Sequence, residues 1–311
     1  MADLTAAIAA GLRACAALTE QAQASETTSA PSDFDPSTGI VTFSDGAQIR
    51  TTLLVDASGA NSIWRQRAGI SCMHHDYKCA ALTAEIALAA PHGQVARQIF
   101  LPDGPLALLP LPKPGRAALI WSLPARKAQA LAACDENLFH GELNAAARGV
   151  FGKVLLMGVR AQQPLKAQIA EAFIGPRLAL VGEAAHVIHP LAGQGMNLTL
   201  RDIGALVDTL KNARRLGLEC GDATMLENYA GLRRADAFAV AFGTHARAEI
   251  LSGPGPARML AAAGMRGVGY IADNWPKLKD AFRRQADQGL APLSGLFASA
   301  PPNARDAKKG R

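Results

Sequence analysis

Residues 180–197 read LVGEAAHVIHPLAGQGMN, and this stretch decides which fold we expect. An apolar strand ends here and delivers a carboxylate, Glu183, to the carboxyl edge of a parallel sheet, where α/β folds bind their ligands. Gly193 and Gly195 let the backbone approach a flat ligand closely. The helix expected to begin near Asn197 points free N–H groups at the same place and favours negative charge there. The stretch therefore predicts a ligand site at a strand end.

A second strand, turn and helix lie earlier in the chain. Residues 53–55 are apolar, a turn from Asp56 to Gly59 follows, and Ser62 opens a short helix that contains Arg65. This order predicts another α/β unit whose strand ends in a glycine turn.

The residues between and around these units complete an α/β (mixed α+β) pattern in which one domain is interrupted by an antiparallel sheet. The predicted elements are an amphipathic helix over residues 1–22, a loop over 21–32, a hairpin with strands 40–43 and 48–50, β-strands over 80–88, 98–101, 106–109 and 118–122, a helix over 127–147, a buried strand over 177–181, and helices over 224–251, 257–274 and 275–288.

Composition excludes several classes of protein. Only 5% of the 311 residues are aromatic, so base stacking on single-stranded nucleic acid has little support despite a net charge of +6. The five cysteines are scattered without a CxxC pair, which predicts no disulfide framework and favours a reducing cytoplasm. No run of 18 apolar residues occurs, so no membrane span is expected.

Two side-chain groups invite a chemical interpretation and are expected to carry none. Cys72, His74, His75 and Cys79 lie within eight positions, but adjacent histidines in a strand point to opposite faces and the spacing fits no common zinc pattern, so no metal is expected. Arg201 and Asp202 are expected to pair with each other near a helix start.

The 180–197 stretch closely resembles the second FAD-binding motif of the flavoprotein aromatic hydroxylases, Gly-Asp-Ala-Ala-His, then Pro, then Gly-Gln-Gly-x-Asn. Its ending, followed by Arg201 and Asp202, is similar to ubiquinone-biosynthesis hydroxylases of the UbiH, UbiF and VisC type. Residues 53–65 are similar to the family's Asp-Gly motif, with Gly59, Ser62 and Arg65 matching and Ser58 in place of its Asp.

The resemblance implies roles for individual residues. Glu183 stands where the family's Asp holds the ribityl chain of FAD, and Pro190 matches the proline beside the flavin where the substrate enters. His189 and Pro190 are the candidate catalytic residues. The candidate cofactor-binding residues are Glu183, Pro190, Gly193, Gln194, Gly195, Met196, Asn197, Gly59 and Arg65.

The resemblance also implies a domain plan and an activity. A residual, Rossmann-like FAD-binding domain is expected over 1–78 and 177–215, a substrate-binding β-sheet domain over 79–176, and a C-terminal helical region with a disordered basic tail over 216–311. The implied protein is an oxidoreductase, an FAD-dependent monooxygenase that hydroxylates an aromatic ring of a polyprenylated ubiquinone precursor with O2. It is expected in the cytoplasm, peripheral to the inner face of the membrane or in a quinone-biosynthesis complex, and not on nucleic acid.

One departure from the family leaves an alternative open. No Gly-x-Gly-x-x-Gly turn for the ADP half of FAD precedes Asp56. The chain is thus expected to correspond to the family without its N-terminal unit. The alternative to an active hydroxylase is an N-terminally truncated, non-catalytic remnant or a subunit of a quinone-biosynthesis assembly.

Overall fold

The computed structural model describes residues 29–188 and 194–252, and two compact units divide the chain between Thr52 and Leu53. The predicted helices at 1–22, 257–274 and 275–288 and the basic tail lie outside the described residues. The division into domains at residues 78, 176 and 215 stays a prediction.

The first unit contains an antiparallel three-stranded sheet, β1 (Pro31–Asp35), β2 (Ile40–Phe43) and β3 (Gln48–Arg50). The predicted hairpin is confirmed, with Ile40 opposite Arg50 and Thr42 opposite Gln48. The predicted loop over 21–32 is wrong at its end, because Pro31 and Ser32 already belong to β1. Proline is tolerated there since it is the first residue of an edge strand.

The second unit contains a small sheet in the order β10–β11–β4. Strand β4 (Leu54–Asp56) runs parallel to β11 (Leu178–Leu180), and β10 (Ile174–Gly175) is antiparallel to β11. Helix α1 (Ile63–Arg67) follows β4. Strands β4 and β11 are neighbours in space although the whole intervening chain separates them in sequence, so the expected interruption of one fold by another is confirmed.

The intervening chain forms a six-stranded antiparallel sheet in the order β12–β9–β5–β8–β7–β6. Its strands are β5 (Cys72–Leu88), β6 (Arg97–Leu101), β7 (Gly104–Pro110), β8 (Arg116–Pro124), β9 (Val154–Ala170) and β12 (His186–Val187).

Strand β9 and the first half of β5 are absent from the predicted elements. The first half of β5 is mostly polar and exposed. Strand β9 is largely exposed and contains Gly158 and Pro164, so neither segment shows a clear alternation of apolar residues. Their register shifts between Asp76 and Cys79, which breaks the period of two further. The pairing of the two 17-residue strands β5 and β9 stabilises an extended conformation that their own sequences do not indicate.

The main core lies between this sheet and two helices, α2 (Ala125–Ala133) and α3 (Glu136–Ala147). Strand β8 turns alternate side chains inward, and Leu119 and Leu123 are completely buried, as are Phe139 and Leu143 of α3. The single helix predicted over 127–147 is interrupted because Asp135 caps α3, its carboxylate accepting a hydrogen bond from the Leu138 N–H at 3.0 Å.

The chain then forms a 3₁₀ turn (Gly182–Ala184), α4 (Gln194–Arg215) and α5 (Ala223–Ser252). These bounds confirm the predicted long helix near Asn197 and the helix over 224–251. No helix in the described part of the chain is both long and apolar enough to cross a bilayer.

Substituting Leu119→Ala is expected to lower the free energy of unfolding by about 2–5 kcal/mol, because the truncation leaves a cavity in a filled core. Leu216→Ala is the matched control: this leucine is 68% exposed, so its loss should change stability by about 0.5 kcal/mol or less. Urea unfolding of both variants measures the difference, and equal effects would contradict this location of the core.

Candidate functional site

Two strand ends bring the two predicted motifs together. Strands β4 and β11 are parallel, with Leu180 opposite Asp56, and the Val181 N–H donates to the Asp56 carbonyl at 2.9 Å. The turns that follow them, residues 57–61 and Gly182–Ala184, therefore lie at the same carboxyl edge of the sheet.

The Asp56 side chain organises the first turn. Asp56 is 2% exposed, and its carboxylate accepts hydrogen bonds from the Ser58 N–H at 2.9 Å, from the Ser58 hydroxyl at 2.6 Å and from the Ser62 hydroxyl. Ser62 in turn caps α1 by accepting the Arg65 N–H at 2.9 Å. Ser58, which replaces the acidic residue of the resembled motif, is thus held by an acid two positions earlier.

Arg65 ties the two turns together. Its guanidinium is buried and donates to the Ala60 carbonyl at 2.8 Å and to the Ala184 carbonyl at 2.7 Å. The Gln168 amide donates to the same Ala60 carbonyl at 3.0 Å. These bonds favour a role for Arg65 in holding the site's shape, while its direct contact with a cofactor, like that of Gly59, stays a prediction.

The second turn packs closely on α4. Gly182 has φ +62°, and a Cβ there would lie 3.0 Å from the Cγ2 and Oγ1 atoms of Thr199, so a larger residue is disfavoured by both backbone and space. The Thr199 hydroxyl also donates to the Gly195 carbonyl at 3.1 Å. The next residue of the turn, Glu183, is exposed.

The start of α4 presents free backbone N–H groups near the second turn. Gln194 is its first described residue, Gly195 is exposed and Met196 is 54% exposed, while Asn197 is half-buried. Its first turn contains no acidic side chain, so its free N–H groups keep their attraction for an electronegative ligand. The candidate residues His189, Pro190 and Gly193 lie outside the described residues.

A buried polar network supports this edge from behind. Its side chains are at most 5% exposed, and they come from β12, α4 and α5: His186, Arg201, Asp202, Tyr229, Arg233 and Asp236. The Tyr229 hydroxyl donates to the Leu180 carbonyl at 2.7 Å, which anchors α5 on the end of β11. Burial raises the pKa of this phenol well above its ordinary value, so it remains a donor.

The expected pair between Arg201 and Asp202 is wrong. Consecutive residues on a helix point in different directions, and Arg201 lies against Asp236 at 3.4 Å while Asp202 lies against Arg233 at 2.7 Å. Arg233 also pairs with Asp236 at 2.7 Å.

The two arginines of the network are not equally satisfied. Burial lowers the pKa of Arg201, and its Nε and Nη2 find no hydrogen-bond partner among the described residues. Burial opposes the charge of Arg233 as well, but its two carboxylate partners outweigh that effect and raise its pKa. The sequence analysis missed Arg233 and Asp236; their opposite charges, three positions apart on one predicted helix, were the available signal.

A mainly apolar cavity of about 210 Å³ lies between β5, β9 and α5. Its apolar lining includes Met73, Ile169, Phe238 and Phe242, and His75 also lies at its wall. Ile169 pairs in the sheet with His186, so the cavity lies beside the strand that leads into the residues before α4.

The four Cys and His residues at positions 72–79 lie along β5. Burial raises the pKa of the Cys72 thiol, which disfavours the thiolate form that metals bind. Within residues 29–188 and 194–252, no three His, Cys, Asp or Glu side chains are placed to hold a metal ion.

Comparison with known proteins identifies the family that shares these features. Residues 3–241 match the model of the FAD binding domain. The chain is 36% identical over 245 residues to ubiquinone hydroxylase UbiL of Rhodospirillum rubrum, and the aligned region covers 79% of this chain and 56% of that protein. It is 39% identical over 203 residues to 3-demethoxyubiquinol 3-hydroxylase of Escherichia coli, covering 64% of this chain and 50% of that protein.

A solved structure agrees with these matches. PqsL of Pseudomonas aeruginosa, a probable FAD-dependent monooxygenase, superimposes with a TM-score of 0.56 at 26% identity, over 69% of this chain and 60% of that one. These matches confirm the resemblance that the two motifs predicted. The chain spans about half the length of the curated relatives it matches.

Replacing Arg65 by Lys is expected to lower the free energy of unfolding by about 1–3 kcal/mol, because one ammonium group cannot donate to both the Ala60 and the Ala184 carbonyls in the geometry of a guanidinium. Arg67→Lys, on the exposed face of the same helix, keeps the charge as well and serves as the control. Urea unfolding compares them, and an Arg65→Lys variant as stable as the control would contradict the bridging role.

Proposed function

The chain belongs to the FAD binding domain family, and from this premise we propose that it binds FAD at the carboxyl edge of β4 and β11 and takes part in hydroxylating an aromatic ring. The proposal rests on the packing of the turn Gly182–Ala184, here called the Glu183 turn, against the start of α4. Arg65 links the Glu183 turn to the turn after β4.

The residues at this edge suit FAD by their chemistry. The exposed Glu183 carboxylate accepts hydrogen bonds and so suits the hydroxyl-rich ribityl chain. The N–H groups of residues 194–197 donate and so suit the oxygens of the flavin ring. A Cβ added to Gly59, in the turn after β4, or to Gly195, at the start of α4, meets nothing within 4 Å, so there is open space at both positions.

FAD, when bound, supplies the redox chemistry with O2, and the chain's own residues supply binding and orientation. The dipole of the 22-residue helix α4 stabilises negative charge at its N-terminus. Within this proposal Gly193 is a cofactor-binding residue, Pro190 matches the family's proline beside the flavin where the substrate enters, and His189 and Pro190 are the candidate catalytic residues.

The proposed substrate is a polyprenylated aromatic precursor of ubiquinone. Two relatives whose names specify ubiquinone-type substrates support this class, and the apolar cavity between β5, β9 and α5 suits a non-polar substituent. Because such a substrate partitions into lipid, the proposal includes a cytoplasmic location at the inner face of the membrane or in a quinone-biosynthesis complex.

Substituting Glu183→Gln is expected to weaken FAD binding about tenfold, because a hydrogen bond to a charged acceptor is stronger than one to a neutral amide. Flavin fluorescence titration of the purified chain gives the dissociation constant. Glu171→Gln, another exposed glutamate in the same unit, should leave it unchanged. A chain that retains no flavin after excess FAD is removed, and shows no fluorescence change on titration, would contradict the proposal. An unaffected Glu183→Gln variant would remove Glu183 from the site.

The FAD-loaded chain, supplied with NADPH or chemically reduced flavin, is expected to convert a short-chain prenylated phenol into a product heavier by one oxygen atom. With ¹⁸O2 the added atom should carry the label, because one atom of O2 enters the ring and the other leaves as water. Mass spectrometry measures both. Stoichiometric FAD without labelled product would favour the non-catalytic alternative.

A further inference from the structure

Asp202 occupies a central position behind the candidate site. It lies on α4 and is fully buried. Its Oδ2 atom accepts hydrogen bonds from the Gly182 N–H at 2.9 Å and from His186 Nε2 at 2.6 Å. Its Oδ1 atom accepts from Arg233 Nε at 2.7 Å.

These three donors belong to different parts of the site. Gly182 begins the turn that carries Glu183, His186 begins β12, and Arg233 comes from α5. Asp202 itself lies two turns into the helix whose first residues are Gln194–Asn197. One carboxylate thus links the turn and the helix that together are proposed to hold FAD.

The hydrogen-bond chemistry requires a carboxylate at this position. An ionised carboxylate only accepts, so His186 donates through an Nε2–H and its neutral form carries the proton on that nitrogen. An amide at position 202 has one acceptor oxygen and one NH2 group. Whichever way the amide is turned, its NH2 faces either Arg233 or Gly182, and at least one buried donor loses its acceptor.

The surrounding charges add to this requirement. Arg233 and Arg201 face Asp202 and Asp236 in the buried network, two cations against two anions. Removing the charge of Asp202 leaves Asp236 as the single anion for two guanidinium groups among the described residues of the network. A buried pair that loses one partner is strongly destabilised, so the register between α4 and the turn is expected to loosen.

We propose that Asp202 is the positioning residue of the FAD site: through Gly182 and His186 it holds the Glu183 turn in register with the N-terminus of α4. This inference rests on the proposed function for its ligand, while its structural part concerns the chain alone. Asp202 acts through its neighbours, since its side chain is buried and its carboxylate oxygens are occupied by protein donors.

Two measurements on the full chain test the proposal. Asp202→Asn is expected to weaken FAD binding about tenfold or more in fluorescence titration. Without FAD, it is expected to speed hydrogen–deuterium exchange in peptides covering 178–188 and 194–204, and not in peptides from β7 and β8. Asp208→Asn, the same change on the same helix outside the network, should leave both readouts within about twofold of the unsubstituted chain.

The outcomes separate this inference from the proposed function. Unchanged exchange at either segment would overturn the positioning role, and so would, in a chain that binds FAD, an affinity of Asp202→Asn equal to that of Asp208→Asn. Faster exchange at both segments supports it even if the unsubstituted chain fails to bind FAD, a result that would instead refute the proposed function. Faster exchange throughout the chain would indicate a general structural role and overturn the inference.

A second pair of variants keeps the test decisive if Asp202→Asn does not fold. His186→Gln retains an N–H donor toward Asp202, whereas His186→Leu removes it. We expect near-normal FAD affinity for His186→Gln and a loss of about fivefold or more for His186→Leu, with faster exchange at 178–188 in the leucine variant alone. Equal behaviour of the two variants would contradict the proposal.

Discussion

The parallel pairing of β4 with β11 is the constraint on which the rest of the second unit depends. It places two turns from distant parts of the sequence at one edge, and Arg65 and Ala184, joined by a hydrogen bond, are 119 positions apart. The antiparallel sheet is inserted between the paired strands, and its long neighbours β5 and β9 leave and return at that same end. The site therefore exists because two short strands that are far apart in the sequence pair with each other.

Closing that connection brings polar groups into the interior, where each must find a partner. Asp56 accepts three donors in the first turn, and Asp202 accepts three behind the second. Buried charges of this kind contribute little net stability compared with apolar packing, but they penalise any other arrangement of the turns strongly. Buried side chains therefore hold the turns at the carboxyl edge of β4 and β11, and the side chains proposed to face a ligand, such as Glu183, are not needed for this.

Much of this arrangement is readable from local sequence, and the exceptions have physical causes. The hairpin of β2 and β3, the strand ends at Asp56 and Leu180, and α5 follow from turn residues and apolar periodicity. Strand β9 does not, because its stability comes from pairing with β5 rather than from its own pattern. The pairing of Arg201 was mispredicted because neighbours in sequence are not neighbours on a helix surface, and its partner Asp236 lies on another helix.

The two motifs and the ligand site at their strand ends can be recognised from short stretches of sequence, because turn residues and apolar strands act locally. The family and its cofactor follow from the same stretches. Which side chains face outward and which hold the edge in place depends on the folded chain. Glu183 is exposed, whereas Arg65, His186 and Asp202 are buried. Arg65 and Asp202 hydrogen-bond to the turns, and His186 hydrogen-bonds to Asp202. That distinction depends on contacts between residues far apart in the chain, and no local pattern specifies them.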